Sequence, residues 1–189
     1  MSELKEWSRE RLSVLNGKEY LALRAQETFP LPEKLHSQLL ALPKGALVEW
    51  SGAPGSGKTT ALLSVLSQNP QLRAAWLEEE PEIYPAAFAN HGIDLDRILF
   101  VESSLENLLW SGHAILKSGL FQILVLNLKS SLSLSEMDLR RLQLASEKSQ
   151  ATTVLLTETL RDFGNWAIRL QVQVSRKNEE VSLRVLKNR

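Results

Sequence analysis

The chain has no cysteine. Disulfides, thiolate metal centres and a thiol nucleophile are therefore excluded, and the composition fits a reducing compartment. Net charge is lacking as well: 22 Lys and Arg balance 22 Asp and Glu, so the chain as a whole makes no electrostatic case for strong nucleic-acid binding. The three histidines, His36, His91 and His113, lie far apart with no second ligand at helical or loop spacing, which suits surface or satisfied core positions better than a zinc site. No apolar run approaches the roughly 18 residues of a membrane span, and the charged start MSELKEWSRERL lacks the apolar centre of a signal peptide. These absences lead us to expect a cytoplasmic protein without membrane contact. Internal repeats and low-complexity segments are also lacking.

What is present is 189 residues, 43% of them hydrophobic, enough to bury one sizeable core and short for two. Leu4, Trp7, Leu12 and Leu15 recur among charges and suit a short amphipathic helix. Pro30, Pro32 and Pro43 then break the chain, leaving room for one more short helix around residues 33–41. We read residues 1–38 as an N-terminal helix, a linker and a candidate oligomerisation arm, and 39–189 as the main domain.

From Pro43 onward strand and helix signals alternate: ALVEWS, TTALLSVLSQ, RAAWLE, PAAFANHG, ILFVE, LENLLWSGHAILKSG, FQILVLNL, EMDLRRLQLASEKS and TTVLLTE. Continuous apolar strands separated by helices indicate an α/β fold, a mostly parallel sheet covered by helices on both faces. AIRLQVQVS and EVSLRVL instead alternate with period two around the polar turn RKNE, an antiparallel C-terminal hairpin at one sheet edge.

Within this pattern GAPGSGKT matches GxxxxGK[ST] in full, with a strand before it and a helix after. Its residues (Gly52, Ala53, Pro54, Gly55, Ser56, Gly57, Lys58, Thr59) and the following Thr60 are the candidate nucleotide contacts. The glycines let backbone N–H groups curl round a phosphate, Lys58 reaches the terminal phosphates and the Thr59 hydroxyl coordinates Mg²⁺. The helix that starts there points its positive end at the anion. A chance glycine turn, or a relic loop that binds nothing, is the competing reading, and the two correct flanks favour ATP with Mg²⁺. Proteins with such a loop usually end a later buried strand in a carboxylate that helps hold the metal. Here that strand, FQILVLN, ends at Asn127, which offers the metal only a hydrogen bond through a bound water. Removing a negative charge from the metal shell raises the barrier to hydrolysis by several kcal/mol.

From about Leu39 to the C-terminus the chain resembles the RecA recombinase core, through LPKGALVEWSGAPGSGKTT, WLEEEPEIYPAAFANHGIDLDRILFVE, SGLFQILVLNL and RVLKNR. The resemblance implies a RecA-like P-loop core, with the family's catalytic glutamate at Glu80 and its phosphate-sensing glutamine at Glu158. The family's adenine-contacting acidic and aromatic positions fall on Tyr84 and Ala87. Lys187 and Arg189 match a motif that reaches the neighbouring subunit's nucleotide in filaments, and a frayed basic tail is the alternative. The EEEP run offers Glu78 and Glu79 as substitute metal contacts, although a solvated acidic loop fits them better. The two DNA-binding loops are represented only by KSSLSLSEM and LRDFGNWA, both cut down to connections.

A RecA core with its phosphate loop partly or wholly kept and its Mg²⁺ site and DNA loops worn away is similar to the ImuA proteins, accessory factors of bacterial damage-induced translesion synthesis, which SGLFQILVLNL, LRRLQLASEKSQATTVLLTETL and AIRLQV especially resemble. That resemblance implies three partners: a catalytically idle Y-family polymerase homologue, an error-prone replicative-type polymerase and RecA. It also leaves room for self-association. Residues 161–189 hold seven basic residues (Arg161, Arg169, Arg176, Lys177, Arg184, Lys187, Arg189) against three acidic (Asp162, Glu179, Glu180). That excess suits weak direct DNA binding, or a solvated hairpin edge. Phe163 and Trp166 suit a partner surface or a lid. The expected function is an adaptor that binds ATP and hydrolyses it weakly or not at all. A slow DNA-stimulated ATPase is the alternative, and a cell-division inhibitor of related fold, which needs no phosphate loop, the second.

Overall fold

The computed structural model describes residues 28–32, 35–37, 41–128, 134–159, 166–178 and 180–188. Its strands are β1 (Thr28–Pro30), β2 (His36–Ser37), β3 (Ala41–Pro43), β4 (Leu47–Ser51), β5 (Ala74–Glu78), β6 (Ile98–Glu102), β7 (Ile123–Asn127), β8 (Thr152–Thr157), β9 (Leu170–Lys177) and β10 (Glu180–Asn188). The helices are α1 (Lys58–Gln68), α2 (Pro85–Asn90), α3 (Leu105–Ser118) and α4 (Glu136–Ser149), and a 3₁₀ turn spans Leu95–Arg97.

Eight strands form one sheet in the order β2-β10-β9-β4-β8-β7-β5-β6. Five neighbouring pairs from β9 to β6 run parallel, while β9 and β10 form an antiparallel hairpin. β4, β5 and β8 are buried along their whole length, as strands covered on both faces must be. One face packs Val48, Trp50, Trp76 and Val125 against Leu62 and Leu66 of α1 and Phe88 of α2. The other packs Leu47, Leu77, Leu124 and Leu155 against Leu108 and Leu116 of α3 and Leu139 and Leu142 of α4. Phe88 meets Trp76 and Phe100 edge-on, with ring centroids 5.7 and 4.9 Å apart. That arrangement ties α2 to the sheet edge.

The start of α4 is fixed by a capping box: Ser135 Oγ accepts from Asp138 N at 3.2 Å and Asp138 Oδ2 accepts from Ser135 N at 3.1 Å. Two donors that the helix would leave unpaired are thereby satisfied. Among the described residues no helix is long and apolar enough to cross a membrane.

Of the span 33–41, where a helix was expected, the described residues 35–37 and 41 are not helical. His36–Ser37 instead adds a short parallel strand to β10, and Ala41–Pro43 pairs antiparallel with Thr28–Pro30. The prolines hold their neighbours extended, and the open edge of β10 offers backbone partners that outweigh a weak helical pattern. Phe29, Leu31 and Leu35 are buried in the same core as α1. The amphipathic pattern of residues 3–15 lies outside the described residues. So do Arg161, Asp162, Phe163 and Arg189, and most of both shortened loops.

Candidate nucleotide-binding site

Parallel strands bring their carboxyl ends to one rim of the sheet, where ligands of open α/β sheets bind. At this rim Ser51 leads into the phosphate loop, Thr157 and Glu158 close β8, Asn127 closes β7 and Glu78 closes β5. Gly52 N donates to Thr157 O at 3.1 Å and Ser56 N to Ala53 O at 3.0 Å, which curls the loop.

Two glycines are fixed by contact with the hairpin. A Cβ on Gly52 would stand 2.4 Å from the Val174 carbonyl oxygen, and one on Gly57 2.6 Å from a Val181 methyl. Gly57 also has φ +91°, in the left-handed region that favours glycine. It caps α1 without a side-chain hydrogen bond, and the first turn carries no acidic residue. The positive end of the helix is thus left for an anion. Ser56 Oγ is buried in the loop without a hydrogen-bond partner among the described residues.

Lys58 folds back over the loop. Its Nζ donates to Gly52 O and, at 2.8 Å, to Thr157 O. Burial pushes its pKa below the ordinary lysine value, against the pull of Glu158 and then Glu82, whose charges favour the ammonium form. Half-buried Glu158 therefore shares the field of Lys58. Thr59 and Thr60 follow as the next two residues of α1, both half-buried. Arg176, near the end of β9, reaches across to Thr60, its Nη2 donating to Oγ1 at 3.2 Å.

The metal-side half of the rim is occupied differently. Asn127 Nδ2 donates to Glu78 Oε2 at 3.2 Å, and the two residues are register partners in adjacent strands. Glu78 also accepts from Trp76 Nε1 at 3.3 Å and from the backbone N–H groups of Glu82 and Ile83 at 3.1 and 3.2 Å. At 5% exposure, it is a buried carboxylate held by four donors, and the solvated acidic loop expected at this position is corrected to that extent. Its signal in the sequence was its position as the last residue of an apolar strand. Glu80, two residues on, is exposed. Tyr84 is 75% exposed, at the head of α2, and Ala87 is half-buried against the core.

Glu49 had no part in the sequence reading, yet it is fully buried in the middle of β4. It accepts from Gln171 Nε2 at 2.8 Å and Thr157 Oγ1 at 3.2 Å. A lone charge inside ALVEW was the available clue. Through Thr157 it braces the strand end whose carbonyl holds Lys58.

Lys187 lies near the end of β10, which pairs Lys187 with Gln171 and Asn188 with Leu170. The tail is thus a paired strand through Asn188 and not frayed. Trp166 is 50% exposed and lies under the Arg140 guanidinium at 4.5 Å. Trp110 on α3, which the sequence reading did not single out, is 72% exposed. Among the described residues no group of three or more His, Asp or Glu is placed to hold a metal ion.

This architecture is a RecA-like core. It superposes on the crystal structure of the RadB recombinase with a TM-score of 0.64 over 77% of this chain and 82% of that one, at 13% identity. In sequence the chain is 29% identical to Protein RecA of Heliobacterium modesticaldum over 89 residues, 46% of this chain. The match spans 26% of that RecA, so the chain covers about a quarter of the curated relative's length. No family model matches the sequence.

Proposed function

We propose that the protein is a RecA-like accessory factor of DNA damage tolerance, of the ImuA type, that binds ATP and hydrolyses it poorly or not at all. The observation that carries this reading is the Asn127–Glu78 pair beside an intact phosphate loop. The loop keeps its glycine geometry and the lysine it needs for phosphate. At the metal end an amide replaces the carboxylate and is already engaged, so the site has lost charge where the transition state needs it most.

Lys58, the loop N–H groups and the start of α1 would hold the triphosphate, and Thr59 would be the protein's ligand to Mg²⁺. The metal's chemistry is to neutralise charge on the phosphates. Self-association through Lys187 and Arg189 in trans, and docking on RecA, on a Y-family polymerase homologue and on an error-prone replicative-type polymerase, belong to the same reading. Exposed Trp166 and Trp110 are the surface anchors best suited to those partners. Direct DNA contact is weak in this account, in keeping with the neutral charge.

The test is co-sedimentation of the purified protein with RecA filaments on single-stranded DNA, with and without ATP. Retention on the filaments, unaltered by blocking hydrolysis, is expected. Failure to associate with RecA or with either polymerase class would remove the adaptor role.

A slow ATPase is the second reading. It is favoured by Lys58 and by exposed Glu80 beyond the rim, and it requires turnover that Lys58→Ala abolishes. The complete loop counts against a cell-division inhibitor.

A further inference from the structure

We infer that Arg176 is a second phosphate-binding cation of the nucleotide site, supplied in cis by the C-terminal hairpin to a nucleoside polyphosphate. The inference rests on the ATP-binding reading above and deepens it.

Three contacts seat the hairpin on the loop. Val174 presents its carbonyl to Gly52, Val181 packs its methyls on Gly57, and Arg176 donates to Thr60 Oγ1 at 3.2 Å. Arg176 and Val181 are register partners, so the residue that touches the loop's last glycine fixes the height of the arginine beside α1. The guanidinium is thereby held at the N-terminal turn of the helix that would receive the anion, and it is exposed to solvent there.

A hydroxyl uses one of the five N–H donors of a guanidinium. The remaining donors form a planar fork suited to two phosphate oxygens. Electrostatics gives that fork a task. Lys58 is the loop's own cation, but Glu158 and Glu82 both lie within its field. On the metal side neutral Asn127 adds no cation, and the buried Glu78 carboxylate stands beside it. A triphosphate, carrying about four negative charges, meets a site short of positive charge, and an arginine fork is the compensation the chain offers. Lys177, the next hairpin residue, is exposed and alternates to the other face of β9, so it does not duplicate Arg176.

The reading also explains why the hairpin is built against the loop. Its tip joins Lys177 to Glu180 through Asn178 at φ +57°, and a bound phosphate would clamp β9 to α1. Polyphosphate would then be sensed by the C-terminal strands directly, without hydrolysis.

The experiment is calorimetric titration of the full chain with ATP, in Mg²⁺ and again in EDTA, for wild type, Arg176→Ala, Arg176→Lys and Lys58→Ala. Loss of a charge-assisted hydrogen bond to phosphate weakens binding by about tenfold or more. Arg176→Ala should show that loss, larger in EDTA where no metal shares the charge, and Arg176→Lys should recover only part of it. The side chain is exposed, so both variants should melt with the wild type. An affinity unchanged in Arg176→Ala while Lys58→Ala abolishes binding would overturn the role of Arg176 and leave ATP binding standing. A lowered melting temperature with unchanged affinity would reduce the Thr60 contact to a structural tie. Absence of ATP binding by the wild type would overturn both readings.

Discussion

Asn127 and Glu78 are register partners at the carboxyl ends of β7 and β5, joined by a 3.2 Å hydrogen bond from amide to carboxylate. The pairing explains why an amide suits this position. An aspartate at 127 would set a second carboxylate against a buried one that already accepts three other hydrogen bonds. Asn127→Asp should therefore destabilise the fold by about 1–3 kcal/mol and should not create an ATPase. Urea unfolding and a turnover assay on the one variant check both outcomes.

Lys58→Ala should reduce ATP affinity by two orders of magnitude or more while changing stability by no more than about 1 kcal/mol, because the lost bonds to Gly52 O and Thr157 O are offset by relief of a desolvated charge. The pH dependence has a definite sign. The folded-state pKa of Lys58 lies below its ordinary value, so between the two the unfolded chain binds more protons. Wild type should accordingly gain stability relative to Lys58→Ala as pH rises through that alkaline window. Parallel thermal melts from neutral to alkaline pH measure it.

Gly57→Ala should cost about 1–3 kcal/mol and abolish ATP binding, since it combines φ +91° with a Cβ only 2.6 Å from Val181. Adding Val181→Ala removes the clash and leaves the backbone strain. The double variant should regain part of the stability and little of the affinity, as read by denaturant midpoints and titration.

Trp110→Ser and Trp166→Ser should fold with stabilities within about 1 kcal/mol of wild type, because the Trp110 ring is largely exposed and the Trp166 ring half exposed. If these surfaces dock partners, one or both should lose RecA or polymerase in co-sedimentation. Trp166→Ser also removes the stack on Arg140 at 4.5 Å.

The alternation from Pro43 onward shows why much of the fold was legible in advance. Strands buried on both faces read as continuous apolar runs, and the hairpin β9–β10 read as period two. The loop was legible because phosphate binding demands glycine and lysine at fixed spacing. Residues 33–41 were not, since the strand at His36–Ser37 exists only because β10 offers an edge, a fact no local pattern carries. The burial of Glu78, and Glu49 altogether, escaped for a related reason. A carboxylate's burial depends on donors from distant positions, here Asn127 for one and Gln171 for the other. Arg176 lay within a basic stretch, and its meeting with Thr60 across 116 positions appears only in the folded chain.

The most direct measurement is ATP binding and turnover by the purified protein, with Mg²⁺, in the presence and absence of single-stranded DNA, beside Lys58→Ala. The account predicts binding that Lys58→Ala removes, together with turnover indistinguishable from that variant whether or not DNA is added. Sustained, DNA-stimulated turnover that depends on Lys58 would contradict it and make the protein an ATPase that works without a carboxylate at position 127.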